Sequence, residues 1–464
     1  MRTYLRPVPA MAVALGLVLA GPASAALKVD WMRGVSSPAT PAKYDKVGVI
    51  KVGSSKAKNV LVLEPGTLAG GAYFVPLAQW ITAKAKGWQV WSVERRENLL
   101  EDQSVLQRGK DAKASTTELF DYYLGYIANP AITRHFVAVP DSKVRFAKRW
   151  GMSVAVGDLH RVVGAARKLG GKVVLGGHSL GGSVVTAYAT WNFAGRPGAG
   201  QLGGLVYIDG GSFRSAETAR AARAALDALR PASATPWLIF GGIPAPLAGI
   251  FSATGSTAAV LDPNARSIGQ QSGLLNPFHL TPSVPLSNLA QYGYALNVGT
   301  SPRPLIAAQA HLGKGIAATG AARGWNGSGA LTPVTRFARM FSGTGVEDSD
   351  GTEWYFPRRL TDDTAAIANG TANAAQKVLG LKATMGRRLP RDLRIYAFGA
   401  ALGGRVILTA ARQLALQSHI PLRNLTLINR RRSYAHNDPN GAYPNNVFFA
   451  HLVPFLARVG AKRG

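Results

Sequence analysis

The chain has 464 residues, of which 47% are hydrophobic and 17% charged. That balance supports a sizeable buried core and excludes wholesale disorder, and the length suits two or three domains or one large domain with an insertion. No cysteine is present, which excludes disulfides, thiolate nucleophiles, Cys-ligated metals and a lipid-modified N-terminal cysteine. The formal net charge is +29. Yet the basic residues are scattered singly, "RRR" at 430–432 is the densest cluster, and no helix-turn-helix, zinc-finger or RNP pattern accompanies them. The charge is therefore read as a source of solubility and of attraction to anionic envelope polymers, with no nucleic-acid partner.

The first 25 residues read as a sorting signal. Arg2 and Arg6 form a basic start, "AMAVALGLVLAG" (10–21) is an apolar run too short to span a bilayer, and Ala23-Ser24-Ala25 is a small-x-small cleavage site. The expected mature chain begins near Ala26, is secreted to the cell envelope or beyond, and keeps no transmembrane segment. From 59 to 211, short apolar runs alternate with helical stretches. "NVLVLE" (59–64) reads as a strand, "FVPLAQWITAKAKG" (74–87) as a helix, and "WQVWSVE" (88–94) as the next strand. A helix is expected over 158–171 with Asp158 as N-cap and Gly170 as C-cap. "KVVLG" (172–176) is a strand followed by a helix from Gly182, and "GLVYID" (204–209) is another strand. This alternation predicts an α/β fold with a parallel sheet covered on both faces.

The rhythm stops over 212–390, a segment rich in Pro, Gly, Ser and Thr with apolar islands at 236–251 and 291–299 and a helix candidate at 215–230. It resumes with the strand "LRIYAF" (393–398), a helix from Gly403, the strand "NLTLIN" (424–429) and a terminal helix (446–460). The expected organisation is a core built from 26–211 and 391–464, with 212–390 inserted into it.

One turn looks reactive. "Gly177-His178-Ser179-Leu180-Gly181" is G-x-S-x-G between a strand and a helix, the context in which a serine is pushed out at the C-terminal edge of a sheet. The backbone N–H of Leu180 then faces a developing oxyanion at the helix N-terminus. A serine hydroxyl needs a base, and the base needs an orienting acid. A parallel sheet offers both at the C-terminal ends of its strands. His436 lies in "RRRSYAHNDPNGAYP", just past "NLTLIN", and no other histidine is as well placed. His178 is read as spent in the turn and facing away from substrate. Asp209 ends "GLVYID" and is the leading acid, with the acidic loop 347–353 as the alternative. That loop lacks the twelve-residue spacing of a calcium site, and neither metal nor cofactor is expected. The second oxyanion donor is placed after "NVLVLE", at the N–H of Thr67 or Leu68. "GAALGG" (399–404) echoes "GHSLGG" (177–182) with alanines in place of His178 and Ser179. It reads as the same strand-to-helix turn, carrying no chemistry.

The elbow "GHSLGG", the order Ser179, Asp209, His436, and the tail "YAHNDPNGAYPNNVFFAHLVPFL" resemble the α/β-hydrolase superfamily over roughly 59–211 and 391–460. The resemblance implies an eight-stranded, mostly parallel sheet, a serine nucleophile, and a cap or lid inserted after strand six, where 212–390 falls. It departs at Pro65, where histidine is frequent, and at strand seven, which is followed by no acid. The expected activity is hydrolysis of small-molecule or lipid carboxylic esters through an acyl-enzyme. A peptidase or acyltransferase on the same fold, or a non-catalytic protein binding envelope polymers, are the alternatives.

Overall fold

The computed structural model describes residues 26–211, 213, 215–240 and 242–461. The signal reading of residues 1–25 lies outside them. Eight strands form one sheet: β1 (Val29–Arg33), β2 (Lys46–Val52), β3 (Asn59–Glu64), β4 (Trp88–Glu94), β5 (Val173–His178), β6 (Gly204–Ile208), β7 (Arg394–Gly399) and β8 (Leu425–Asn429). Their spatial order is β1-β2-β4-β3-β5-β6-β7-β8. Only β2 runs against its neighbours, and all other adjacent pairs are parallel. Six of the eight strands are those read from the sequence. β1 and β2 are absent from that reading; β1 is a half-buried edge strand with no clear alternation.

The centre of the sheet is buried on both faces, as parallel strands must be. In β3, Val60 and Val62 pack into one cluster with Val156, Leu159 and Val184, while Leu61 and Leu63 pack into the other with Leu77, Ile81 and Phe448. Successive side chains of a strand point to opposite faces, so one apolar run serves two cores. The covering helices are α1 (Val75–Lys84), α2 (Met152–Arg167) and α3 (Leu180–Thr190). α2 starts six residues before the expected cap. Met152, Val156, Leu159 and Val163 make one buried face across that longer span. Asp158 therefore sits inside the helix, accepting from Val35 N–H at 2.7 Å and Arg96 Nε at 2.9 Å.

After β6 the chain leaves the sheet and returns at β7. The intervening segment 212–390 carries α4 (Ala245–Leu261), α5 (Asn288–Leu296) and α6 (Val334–Ser342), with α4 packed against both others. Parts of it, α4 and α5 among them, help wall the cavity described below, while its stretch Arg358–Ile367 packs against α2 and α3. α7 (Gly404–Gln417) and α8 (Val447–Gly460) complete the core. Among the described residues no helix is long and apolar enough to cross a membrane.

Candidate active site

β5 ends at His178, α3 begins at Leu180, and Ser179 makes the whole turn between them at φ 56°, ψ −126°. A non-glycine residue at positive φ is strained and held there only by its surroundings. The turn closes because Gly177 and Gly181 meet backbone to backbone, where a side chain on Gly177 would strike the Gly181 carbonyl. Ser179 opens into a cavity of about 390 Å³, whose walls include Thr67, Leu68 and His436.

Asp209 follows β6 directly and also takes positive φ, 42°. Its Oδ2 accepts from His436 Nδ1 at 2.7 Å, and both side chains are almost fully buried. Burial pushes the Asp209 carboxyl up, but the hydrogen bond and charge of His436 and the Ala400 N–H outweigh it. The net result lies below the ordinary carboxylate value. No hydrogen bond joins Ser179 to His436 among the described residues, although both line the same cavity. Catalytic bonds are often long in free enzymes and tighten on substrate. Among the described residues none of the four acids of the alternative loop, Glu347, Asp348, Asp350 and Glu353, bonds His436: Asp350 bonds Gln103 and Thr352, and Glu353 bonds Arg95.

The "GAALGG" turn has a different geometry and a different job from those its sequence suggested. Its positive φ falls on Gly404, at 48°, rather than at Ala401, the position matching Ser179. The turn curls so that four of its N–H groups converge on the Asp209 carboxylate, while that of Ala401 donates to the Tyr434 carbonyl. Ala400, Gly403 and Gly404 donate to Oδ1 at 2.6, 2.9 and 3.2 Å, and Leu402 donates to Oδ2 at 3.1 Å. Backbone N–H groups arranged in this way form an anion-binding concavity. The turn after β7 thus holds the carboxylate that follows β6.

The strand order, the serine elbow after β5 and the histidine loop after β8 settle the architecture. The chain has the α/β-hydrolase fold. No protein-family model and no curated protein matches it. Solved structures similar to it include a candidate lipase from Sulfolobus solfataricus (14% identity, 93% of each chain covered, TM-score 0.44). Another is a soluble variant of monoglyceride lipase from Saccharomyces cerevisiae (10%, 95% of this chain and 97% of that one, 0.40). A third is a thermophilic esterase from Thermogutta terrifontis (12%, 93% and 99%, 0.38). The fold assignment rests on the topology of this chain rather than on these distant likenesses.

Several side chains support this hydrolase-fold site in ways the sequence did not disclose. His178 does not face away: it lines the cavity, stacks on Tyr73 with centroids 5.5 Å apart, and its Nε2 lies 3.0 Å from the His436 carbonyl. Burial and the neighbouring His436 push its pKa down to about 3, so its ring is neutral, and as the Nε2–H tautomer it donates to that carbonyl. Tyr73 donates to Asn437 Oδ1 at 2.7 Å and accepts from Asn440 Nδ2 at 3.0 Å, fixing the His436 loop from the other side. Asp438 in that loop accepts from His311 Nδ1 at 2.6 Å and Thr332 Oγ1 at 2.8 Å, tying the loop to the inserted segment.

Thr67 and Leu68 line the cavity, Leu68 at φ 57°, whereas Leu180, the first residue of α3, comes directly after the lining residue Ser179. Gly66 passes so close to Ser179 that a Cβ there would lie 2.8 Å from Ser179 Cβ. Phe120, Phe251, Leu274, Phe278, Leu296 and Phe341 make the remaining wall largely apolar. Among the described residues no group of three His, Asp or Glu side chains is arranged to hold a metal ion.

Proposed function

We propose that this chain is an exported serine hydrolase that cleaves carboxylic esters with an apolar acyl part. The observation that carries the reading is the buried Asp209–His436 pair beside an elbow serine, at the wall of an apolar cavity. Ser179 attacks the ester carbonyl and His436 takes its proton. Asp209 holds the ring in the productive tautomer and balances the imidazolium that forms. The tetrahedral oxyanion is met by the Leu180 N–H and by that of Thr67 or Leu68. His436 then protonates the leaving alcohol, and water repeats the sequence in reverse to free the acid. The apolar cavity favours an acyl chain over a peptide, because a peptide's amides would lose water there without gaining partners.

The test sets p-nitrophenyl esters of rising chain length against aminoacyl arylamides, with fluorophosphonate labelling of wild type and Ser179→Ala. Ester turnover and labelling that vanish together in Ser179→Ala are expected. Faster arylamide turnover would make it a peptidase. A wild type that neither labels nor turns over would make it a binding protein.

A further inference from the structure

Arg95 follows β4 directly, and its guanidinium is only 6% exposed. It lies beneath the turn that joins Glu64 to Gly71. Its Nε donates to Glu64 Oε1 at 2.8 Å. Nη1 donates to Glu353 Oε2 and to the Gly66 carbonyl, the latter at 3.3 Å, and Nη2 donates to the carbonyls of Pro65 and Gly66. Burial opposes the charge of Arg95, but Glu353, Glu64 and Glu97 outweigh it and hold the group above its ordinary value. The loop that brings Glu353 is itself laced to the turn. Gly70 N–H donates to the Gly351 carbonyl at 3.0 Å, Glu353 N–H donates to the Leu68 carbonyl at 3.0 Å, and Ala69 pairs with Thr352.

In a planar trans peptide the C=O of one residue and the N–H of the next point in opposite directions. The Gly66–Thr67 bond is trans, since the one cis peptide among the described residues is Tyr443–Pro444. The Gly66 carbonyl faces the Arg95 fork, and also accepts from Ala69 N–H at 3.4 Å, so the Thr67 N–H points away from Arg95, while Gly66 itself lies against Ser179, where a Cβ would stand 2.8 Å from Ser179 Cβ. We propose that Arg95 is a positioning residue. Through the Gly66 carbonyl it aims the Thr67 N–H at the oxyanion, and Glu353, delivered by the inserted segment, holds Arg95 to that task. This rests on the serine-hydrolase reading. It selects Thr67 over Leu68 as the second donor, and it gives the 347–353 loop a role that is neither catalytic acid nor metal ligand. Lysine would keep the charge but not the planar fork that spans two carbonyls and two carboxylates.

The experiment measures kcat and KM on a short p-nitrophenyl ester, and the affinity of a trifluoromethyl ketone that mimics the tetrahedral state, for wild type, Arg95→Lys and Glu353→Gln. Circular dichroism and thermal melting establish that each variant is folded. In Arg95→Lys, kcat should fall on the order of 10²-fold, the cost of misplacing one oxyanion donor. KM should stay within a few fold, and ketone affinity should fall in parallel with kcat. Glu353→Gln, which preserves size, should move the same quantities in the same direction by less, and it decides the matter if Arg95→Lys does not fold. Folded variants that keep kcat and ketone affinity near wild type, or that lose only KM, overturn the inference and leave the hydrolase reading standing. A wild type that turns over no ester and takes no fluorophosphonate overturns both.

Discussion

Asp209→Asn changes one acceptor into a donor, and the arrangement around it makes the substitution harmful twice. The carboxylate receives five N–H donors, three on Oδ1 and two on Oδ2. A carboxamide has only one oxygen. If that oxygen takes the Oδ1 place, the amide NH₂ faces the Leu402 N–H and His436 Nδ1–H. Two buried donors then lose their acceptor, at about 1–3 kcal/mol each, for a total of about 2–6 kcal/mol. The other orientation orphans three donors and costs more. Separately, His436 loses the partner that sets its tautomer, which lowers kcat on the order of 10⁴-fold.

Urea denaturation and turnover of a p-nitrophenyl ester read the two effects independently. The pH dependence supplies a further signature. The Asp209 carboxyl titrates below its ordinary value of 3.8 in the folded protein, so its stabilising contribution is present above that value and is lost as pH falls through the folded one. The stability gap between wild type and Asp209→Asn should therefore narrow below about pH 4. A folded Asp209→Asn that keeps its stability within about 1 kcal/mol and its kcat within tenfold would refute both the cradle and the assignment of the acid.

Two further outcomes follow from other parts of the molecule. Gly255 sits inside α4 at the cavity wall, and a Cβ there meets only Tyr292 Cδ2, at 3.8 Å. Gly255→Leu should raise stability by about 0.5–1 kcal/mol through helix propensity. It should also displace about four methylenes of a long acyl chain, which at about 0.8 kcal/mol each lowers kcat/KM for long p-nitrophenyl esters on the order of 10²-fold, with short esters far less affected. A chain-length profile unchanged in the folded variant contradicts this. Glu94 is buried against Gly71 N–H, Asn98 and Ser349, and desolvation pushes its pKa from 4.5 up to about 7. A raised carboxyl contributes most below its unfolded pKa and loses that contribution as pH rises through the folded one. Wild type should thus lose about 3 kcal/mol relative to Glu94→Gln between pH 4 and 8 in urea melts; parallel pH profiles would exclude the shift.

What the sequence disclosed followed from local chemistry. "NVLVLE" and "KVVLG" were legible because strands covered on both faces become continuous apolar runs, which few other structures require. Ser179 was legible because an elbow needs glycines at fixed offsets. Asp209 and His436 were legible because the C-terminal ends of parallel strands are few, and so are the titratable residues standing there. Asp158 was misread for the converse reason. Asp at the head of an apolar period is a good local cap, and nothing nearby reveals Arg96, 62 residues earlier, as its true partner. Arg95 is one of several charges in the stretch 95–102, "RRENLLED". Its two carbonyl contacts depend on where a turn 30 residues upstream places its backbone, and no residue type announces that.

The cradle around Asp209 is the extreme case, because every residue except proline carries an N–H and only the path of the chain aims four of them at one point. That path also accounts for the missing acid after β7. The end of β7 is already an anion receptor, filled by the carboxylate from β6. A second carboxylate on the same turn would bring like charges together in a buried space, and one of the two would have to stay protonated. The alanines of "GAALGG" and the aspartate of "GLVYID" are therefore two halves of a single electrostatic arrangement. An acid introduced at Ala400, itself fully buried, should raise the pKa of Asp209 rather than replace its function.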